Sequence, residues 1–342
     1  MRYAITDLPS VVPGEAPDLR AELLERRKRQ QDVLEMQGQI RFIGVGSRLG
    51  LRFGSRDMPL GAGARVALGQ QLGLGRAPAG ILHLDRLNDW VSGLRDVLVR
   101  LEGNEVRAVL PGDVRVLDLV ELLDVTLDHL RRLPVRVRLE HCEEERGELY
   151  LTAVAPELAG ELAEGDYLYG GFYLSHSETT LSDTEACVRI YRVACRNGAL
   201  MDAVEGQRLV LPRRVRAGAP DPYAGWEERL GRVVARSFDG GEVDLETRRF
   251  RSTTSQILAT PYELLLHLAA QGLMTPEEQE RIQREFNTGR DDSMFALINA
   301  VTFQAHVERE GRDWARAFAL ERLGGEILRG DHQPPVLEPV HA

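Results

Sequence analysis

The sequence lacks any long hydrophobic run. No window approaches the ~18 consecutive apolar residues that a membrane helix requires. The first seventeen residues, MRYAITDLPSVVPGEAP, show no apolar stretch of the kind that signal peptides carry. We therefore expect a cytoplasmic protein that has no contact with a membrane.

Cysteine is also scarce, because the 342 residues include only Cys142, Cys187 and Cys195. Three cysteines without a Cys-x-x-Cys pair predict neither a disulfide framework nor a zinc site. His141, Cys142 and the acidic run 143–145 could be imagined as metal ligands, but a second ligand pair at a defined spacing is lacking, which favours a charged hairpin turn. We expect reduced thiols, no metal and no cofactor.

Positive charge is in deficit over the whole chain. The formal net charge is −10, and Lys28 is the only lysine among 43 basic residues. A negative chain argues against a general polyanion-binding surface, because neutralising phosphates needs a local excess of cations. A local basic surface remains compatible with this balance.

The periodicity that is present predicts an α+β fold, with a central, mostly antiparallel sheet and a helical C-terminal half. Alternating strand patterns gather in the middle of the chain, and helical patterns dominate from residue 226 onward. The segment Ala217–Tyr223 is rich in turn formers. The predicted regions are an N-terminal helical extension (1–38), an α+β core domain (39–216), a helical C-terminal region (224–330) and a flexible tail (331–342).

Individual patterns make more specific predictions. Residues Glu15 to Met36 and Asp85 to Leu101 have helical spacing. Gln39 to Phe53 alternates as a β-hairpin with its turn near Gly46-Ser47, and Val116 to Leu130 is predicted as a helix.

An arginine-rich segment stands out from the acidic chain. Cys187 to Arg216 contains seven arginines and two acidic residues, a local balance of +5, and five aromatic residues lie within or shortly before it. Guanidinium groups beside planar rings suit single-stranded nucleic acid, in which phosphates pair and bases stack. Alternatively, the rings fill the core and the arginines pair with acids across the sheet. The candidate nucleic-acid-binding residues are Arg189, Tyr191, Arg196, Arg213, Arg214 and Arg216.

Strand alternation gives these candidates an orientation. In a strand over 186–194, Arg189 and Tyr191 share one face, while Val188, Ile190 and Arg192 share the other. The second face is the more apolar. We expect it to look inward and to leave Arg189 and Tyr191 on the open side.

Two further groups of polar residues invite a functional interpretation. His176 lies between Ser175 and Ser177, but adjacent residues of a strand point to opposite faces and cannot form a catalytic triad, so a polar turn is expected. Asn299, Thr302 and His306 fall on one helical face. Such a stripe is either a proton-handling site or a satisfied packing network.

Several motifs resemble a known family. Ser175-His176-Ser177-Glu178 is followed by Arg192, Val193, Cys195, Asn197 and Gly198; Val106 to Leu110 precedes them; Asn299 to Thr302 with His306 follows. This order is similar to that of the phage and plasmid-like domain of unknown function 932, over roughly residues 40 to 330. Thr179 stands where that family has a glycine. The resemblance implies a setting in phages, plasmids and related bacterial loci.

Together, the arginine segment and the resemblance predict a non-enzymatic DNA-transaction protein that binds or anneals single-stranded DNA as an oligomer. The alternative is a structural or regulatory protein that contacts other proteins and no nucleic acid, which the acidic net charge favours.

Overall fold

The computed structural model describes twelve segments of the chain, interrupted by short gaps. They are residues 15–36, 38–45, 48–72, 83–145, 147–192, 197–201, 206–215, 218, 220–258, 260–289, 291–311 and 313–332. The structure confirms the predicted α+β class, with antiparallel sheets and with helices concentrated in the C-terminal half.

Two small antiparallel sheets and three helices form the N-terminal part. The elements are α1 (Glu15–Arg27), β1 (Gln30–Met36), β2 (Ile40–Val45), β3 (Arg48–Phe53), β4 (Arg56–Pro59), α2 (Ala62–Gln71), α3 (Leu84–Ser92), β5 (Asp96–Glu102) and β6 (Glu105–Pro111). The sheet orders are β1-β5-β6 and β2-β3-β4. The predicted hairpin over 39–53 is confirmed by the pairing of β2 with β3.

Two predicted helices of this region are partly wrong. The helix from Glu15 ends at Arg27, and the residues after it form β1, which pairs with β5. The helix expected from Asp85 to Leu101 ends at Ser92, because Gly93 caps it, and the alternating apolar residues that follow form β5. Strand β5 lies between β1 and β6, and its β-branched valines suit this buried central position.

The central sheet follows a helix and dominates the middle of the chain. Its elements are α4 (Leu119–Arg131), β7 (Arg138–Glu145), β8 (Glu148–Ala163), β9 (Asp166–Ser177), β10 (Thr184–Arg192), β11 (Asn197–Met201) and β12 (Arg208–Leu211). The strand order is β11-β10-β9-β8-β7, and β12 pairs with the first half of β10 while β11 pairs with its second half.

Six helices complete the fold and cover the sheet. They are α5 (Trp226–Ser237), α6 (Gly240–Thr254), α7 (Pro261–Ala270), α8 (Pro276–Thr288), α9 (Met294–Glu310) and α10 (Trp314–Arg329). Leu151, Phe172 and Leu174 on one face of the sheet pack with α4 and α5. On the opposite face, Tyr173 and Cys187 pack with residues of α10. Helices therefore bury both faces of β10.

Candidate nucleic-acid interface

The structure separates the predicted nucleic-acid-binding residues by exposure. Arg189, Tyr191 and Arg213 are 0%, 3% and 0% exposed, so the expectation that they lie on an open surface is wrong. Arg214 is exposed and pairs with Asp113 at 2.7 Å. Arg196 and Arg216 lie outside the described residues.

Arg189 is held in a buried ion-pair network on the face of β10 that strand alternation predicts to be open. Its Nε and Nη2 each donate to the carboxylate of Glu321 on α10 at 2.9 Å, and its Nη1 donates to Glu140 on β7 at 2.7 Å. Arg309 of α9 lies 3.2 Å from the same Glu321. The guanidinium of Arg189 also lies 5.1 Å from the centre of the Tyr191 ring.

The electrostatics of this network favour the charged forms. Burial alone would lower the pKa of Arg189, but the attraction of Glu321 and Glu140 raises the pKa above its ordinary value. Burial likewise opposes ionisation of Glu321, yet Arg189 and Arg309 keep the pKa of this carboxyl low. This arrangement matches the alternative interpretation of the sequence, in which the arginine pairs with acids and the ring joins the core.

Arg192 follows the expectation that it looks inward. Its side chain is 19% exposed and bonds Asp166 at 2.6 Å and the side chain of Asn299 at 2.8 Å. Thr302 donates to the Ile298 carbonyl within its own helix, and His306 lies 3.4 Å from Glu310. The three polar residues of α9 thus have separate partners, which favours the packing interpretation over a proton-handling site.

A second buried cluster surrounds Glu178, the residue after β9. Arg107 donates to its carboxylate, the backbone amide of Leu119 donates to it at 3.3 Å, and Arg100 donates to its carbonyl oxygen at 3.0 Å. Arg213 lies near the same charges. Its burial has the largest effect and the nearby charge of Arg100 the next largest, and they lower the pKa of Arg213 to about 10.

The polar turn expected around His176 is wrong, because Ser175, His176 and Ser177 form the end of β9 and pair with β8. His176 is 2% exposed, and its ring contacts Thr184 Oγ1 at 2.6 Å and the Leu117 carbonyl at 3.1 Å. The Ser177 hydroxyl accepts from the amides of Thr179 and Thr180. The histidine therefore has a structural partner on each side and does not activate a neighbouring serine.

A concentration of exposed and half-buried arginines lies elsewhere, between β12 and α5. These elements line a groove of about 930 Å³ that we call the basic groove, with Arg208 on the strand and Arg229, Arg232 and Arg236 on the helix. The three helical arginines are spaced i, i+3 and i+7 and so share one face. The acidic residues in the lining are Asp239 and Glu242.

Three arginines of the basic groove make ion pairs, and the fourth, Arg229, bonds a backbone carbonyl. Arg208 lies 2.6 Å from Glu185 and Arg232 lies 2.8 Å from Glu228, with side-chain exposures of 37% and 58%. Arg236 lies 3.0 Å from Glu242, and Arg229 donates to the carbonyl of Pro222. The pair of Arg232 with Glu228 is exposed on both sides, and such pairs contribute ~0–1 kcal/mol, so a phosphate can replace this carboxylate at small cost. Glu185 and Glu242 are only 15% and 7% exposed and hold their arginines more firmly.

The described part of the chain offers little for other kinds of site. No group of three His, Cys, Asp or Glu residues lies close enough there to hold a metal ion. Cys195 lies outside this part of the chain. No helix in it is both long enough and apolar enough to cross a membrane.

Comparison with protein-family models, with curated proteins and with solved structures finds no match. The resemblance to the phage and plasmid-like family therefore stays a prediction. Its motif residues Glu178, Arg192 and Asn299 are placed in the buried or half-buried polar contacts described above.

Sequence reasoning counted Arg208 in the arginine segment but missed the arginines of α5. The signal was present, because helical patterns were predicted from residue 226 onward and three arginines lie on one face of the first of these helices. What the sequence did not show is that β12 brings Arg208 beside this face.

Proposed function

We propose that the protein is a non-enzymatic DNA-transaction protein that binds the phosphate backbone of single-stranded DNA in the basic groove. The observation that supports this function is the convergence of four arginines from β12 and α5 on one concavity with two carboxylates. Arginine presents a planar fork of donors that suits phosphate oxygens. The cytoplasmic location expected from the sequence is part of the same proposal.

Single-stranded DNA is the partner proposed for the groove because the sequence predicts it. Proteins that hold single-stranded nucleic acid combine a charged groove along the backbone with aromatic rings for stacking. Of the five aromatic residues considered for stacking, Tyr169, Phe172, Tyr173 and Tyr191 are buried in the sheet, and Tyr167 is partly buried against them. Binding would therefore depend on phosphate contacts and be tolerant of sequence and sensitive to salt.

Fluorescence anisotropy with labelled single-stranded and duplex DNA over a salt series tests the proposal. The double variant Arg208→Ala/Arg232→Ala should weaken binding. It should also flatten the slope of log K against the logarithm of the salt concentration by about 0.7 for each phosphate that is no longer neutralised. A matched control is Arg95→Ala/Arg136→Ala, which removes two arginines that are 96% and 94% exposed outside the groove. Equal effects of the two double variants, or no binding by the wild type at low salt, would contradict the proposal.

The protein-interaction function remains the second candidate, because one edge strand exposes two large apolar side chains. Leu34 and Met36 on β1 are 63% and 64% exposed and lie on the same face of the strand. β1 forms an edge of its sheet, and an edge strand can pair with a strand of another chain. This surface also provides a route to the predicted oligomer.

Light scattering of the wild type and of Leu34→Lys separates these possibilities. A wild-type oligomer that dissociates in the variant supports an interface at β1. A monomer that binds DNA with a steep salt dependence favours the basic groove alone.

A further inference from the structure

A second cavity lies in the N-terminal part of the fold, away from the residues that line the basic groove. It has a volume of about 450 Å³, which falls within the ~300–1,000 Å³ of ordinary ligand pockets. The start of α2, the β5–β6 turn and the residues at the end of α1 line it. Three of its lining residues are arginines, Arg26, Arg29 and Arg107, and two are acidic, Glu102 and Glu105.

The start of α2 presents backbone donors to this cavity. The first amides of a helix have no acceptor within the helix and carry the positive end of its dipole. The sequence Gly61-Ala62-Gly63-Ala64 supplies no polar side chain to cap them, and the first turn contains no acidic residue. The Gly61 amide donates to the Val106 carbonyl at 2.9 Å, so the amides of Ala62, Gly63 and Ala64 are the donors that remain.

Arg107 provides an independent second feature of the same cavity. Its side chain is 9% exposed, and its Nη2 donates to Glu178. Its Nε and Nη1 are buried and have no hydrogen-bond partner among the described residues. Donors left unsatisfied in the interior cost free energy unless an acceptor reaches them.

The buried surroundings of Arg107 carry an excess of positive charge. Arg100, Arg107 and Arg213 are near one another, and Glu178 is the fully buried carboxylate among them. Asp32, which pairs with Arg100 at 2.9 Å, is 35% exposed. Burial, together with the charge of Arg100, lowers the pKa of Arg107 although Glu178 opposes that shift.

The two acidic residues that line the cavity form ion pairs with arginines other than Arg107. Glu102 lies 3.3 Å from Arg29 and 3.8 Å from Arg26. Glu105 is half exposed and lies 3.5 Å from Arg48. One of its oxygens also lies close to Gly61, so this carboxylate competes for the helix terminus.

We propose that this cavity binds a phosphate group, either inorganic phosphate or a phosphate monoester, through the first amides of α2 and the guanidinium of Arg107, with Arg29 at its entrance. A tetrahedral dianion suits a site whose donors come from several directions, and helix termini with arginine are common phosphate sites. The site shares no lining residue with the basic groove and does not depend on its function.

Titration calorimetry of the full chain with inorganic phosphate tests the site. Ala62→Asp places a carboxylate in the first turn of α2, where it stabilises the helix but occupies and repels at the anion site. This variant should melt no lower than the wild type and bind phosphate at least tenfold more weakly. Arg29→Gln should weaken binding severalfold, and Glu105→Gln should strengthen it.

Two controls make the result specific. Arg95→Gln removes a remote exposed charge, and the groove variant Arg208→Ala/Arg232→Ala removes two others; both should bind phosphate as the wild type does. A single-stranded oligonucleotide with a 5′-phosphate, compared with its 5′-hydroxyl twin, distinguishes a nucleic-acid end from a free phosphate compound. Failure of the wild type to bind millimolar phosphate, or unchanged binding by Ala62→Asp, overturns the proposal.

Discussion

The guanidinium of Arg189 donates two parallel hydrogen bonds of 2.9 Å to the carboxylate of Glu321, and neither side chain has exposed area. The two residues are 132 positions apart in the chain. Their pairing joins β10 to α10, and Glu140 extends it to β7. The arginine that the sequence suggested for DNA binding instead connects the sheet to the last helix.

Removing this arginine should strongly destabilise the fold. Arg189→Met leaves the buried Glu321 and the half-buried Glu140 without their main cation, and breaking a buried pair costs about 3–5 kcal/mol. Urea unfolding measures this loss. The double variant Arg189→Met/Glu321→Gln should lose less than the sum of the single variants. Additive losses, or a loss below ~1 kcal/mol in Arg189→Met, would contradict the proposed role of the pair.

Arg213 should behave differently although it is equally buried. Its Nη1 donates to the Arg115 carbonyl at 2.9 Å, while its Nε and Nη2 have no partner among the described residues. Burial and the charge of Arg100 lower its pKa to about 10, so the folded state disfavours its charged form.

Arg213→Met should therefore change the free energy of unfolding by less than about 1 kcal/mol, because the lost hydrogen bond is offset by the removal of an uncompensated charge. The same urea series measures it beside Arg189→Met and the exposed control Arg214→Met. A loss in Arg213→Met as large as that in Arg189→Met would show that burying the charged Arg213 side chain stabilises the folded state, contrary to this prediction.

The sequence predicted the alternation of β10 correctly but not its environment. Arg189 and Tyr191 do share a face opposite Val188 and Ile190. The expectation of an open side failed because α10, far along the chain, covers that face with Trp314 and Phe318 as well as the partner carboxylate. In the sequence, Glu321 resembles any charged residue of a surface helix, and alternation alone cannot reveal what packs on each side.

The same limitation explains the mistaken helix over residues 30–36. The local composition of this segment suits a helix, but pairing with β5, which lies much later in the chain, fixes it as a strand, and such context overrides weak propensity. The hairpin of β2 and β3 was predictable because its partner strands are adjacent in sequence. The basic groove depends in the same way on the approach of two separate elements, β12 and α5.

Gly325 allows α10 to approach the edge of the central sheet. A Cβ at this position would overlap the carbonyl oxygen of Leu200 in β11 and lie 3.1 Å from the carbonyl carbon. Gly325→Ala should therefore destabilise the protein by about 1–3 kcal/mol through overpacking, although alanine is the better helix former by ~1 kcal/mol.

Gly240→Ala is the matched control for this substitution, measured by the same urea unfolding. Gly240 is the first residue of α6, and a Cβ there would meet its nearest neighbour, Leu158, at 4.0 Å. The control should keep or slightly raise stability. If Gly325→Ala is as stable as Gly240→Ala, the helix and the strand edge are less closely packed than the structure indicates.

The buried ring of His176 should make stability depend on pH. The Leu117 carbonyl can only accept, so Nε2 carries a hydrogen, and in the neutral ring Nδ1 accepts from the Thr184 hydroxyl. Burial, reinforced by Arg213 and Arg100, lowers the pKa of this histidine well below its ordinary value. The folded state therefore resists the proton that the unfolded state accepts below pH ~6.5.

Because the unfolded state binds more protons, the free energy of unfolding should fall as the pH drops below about 6.5, by up to about 1.4 kcal/mol per pH unit from this residue, until the pH reaches the folded-state pKa. His176→Gln removes the titrating group and retains a donor towards Leu117. Urea unfolding at pH 7.5, 6.5 and 5.5 should show a wild type that loses stability more steeply than the variant. Parallel pH dependences would mean that His176 is not buried in its neutral form.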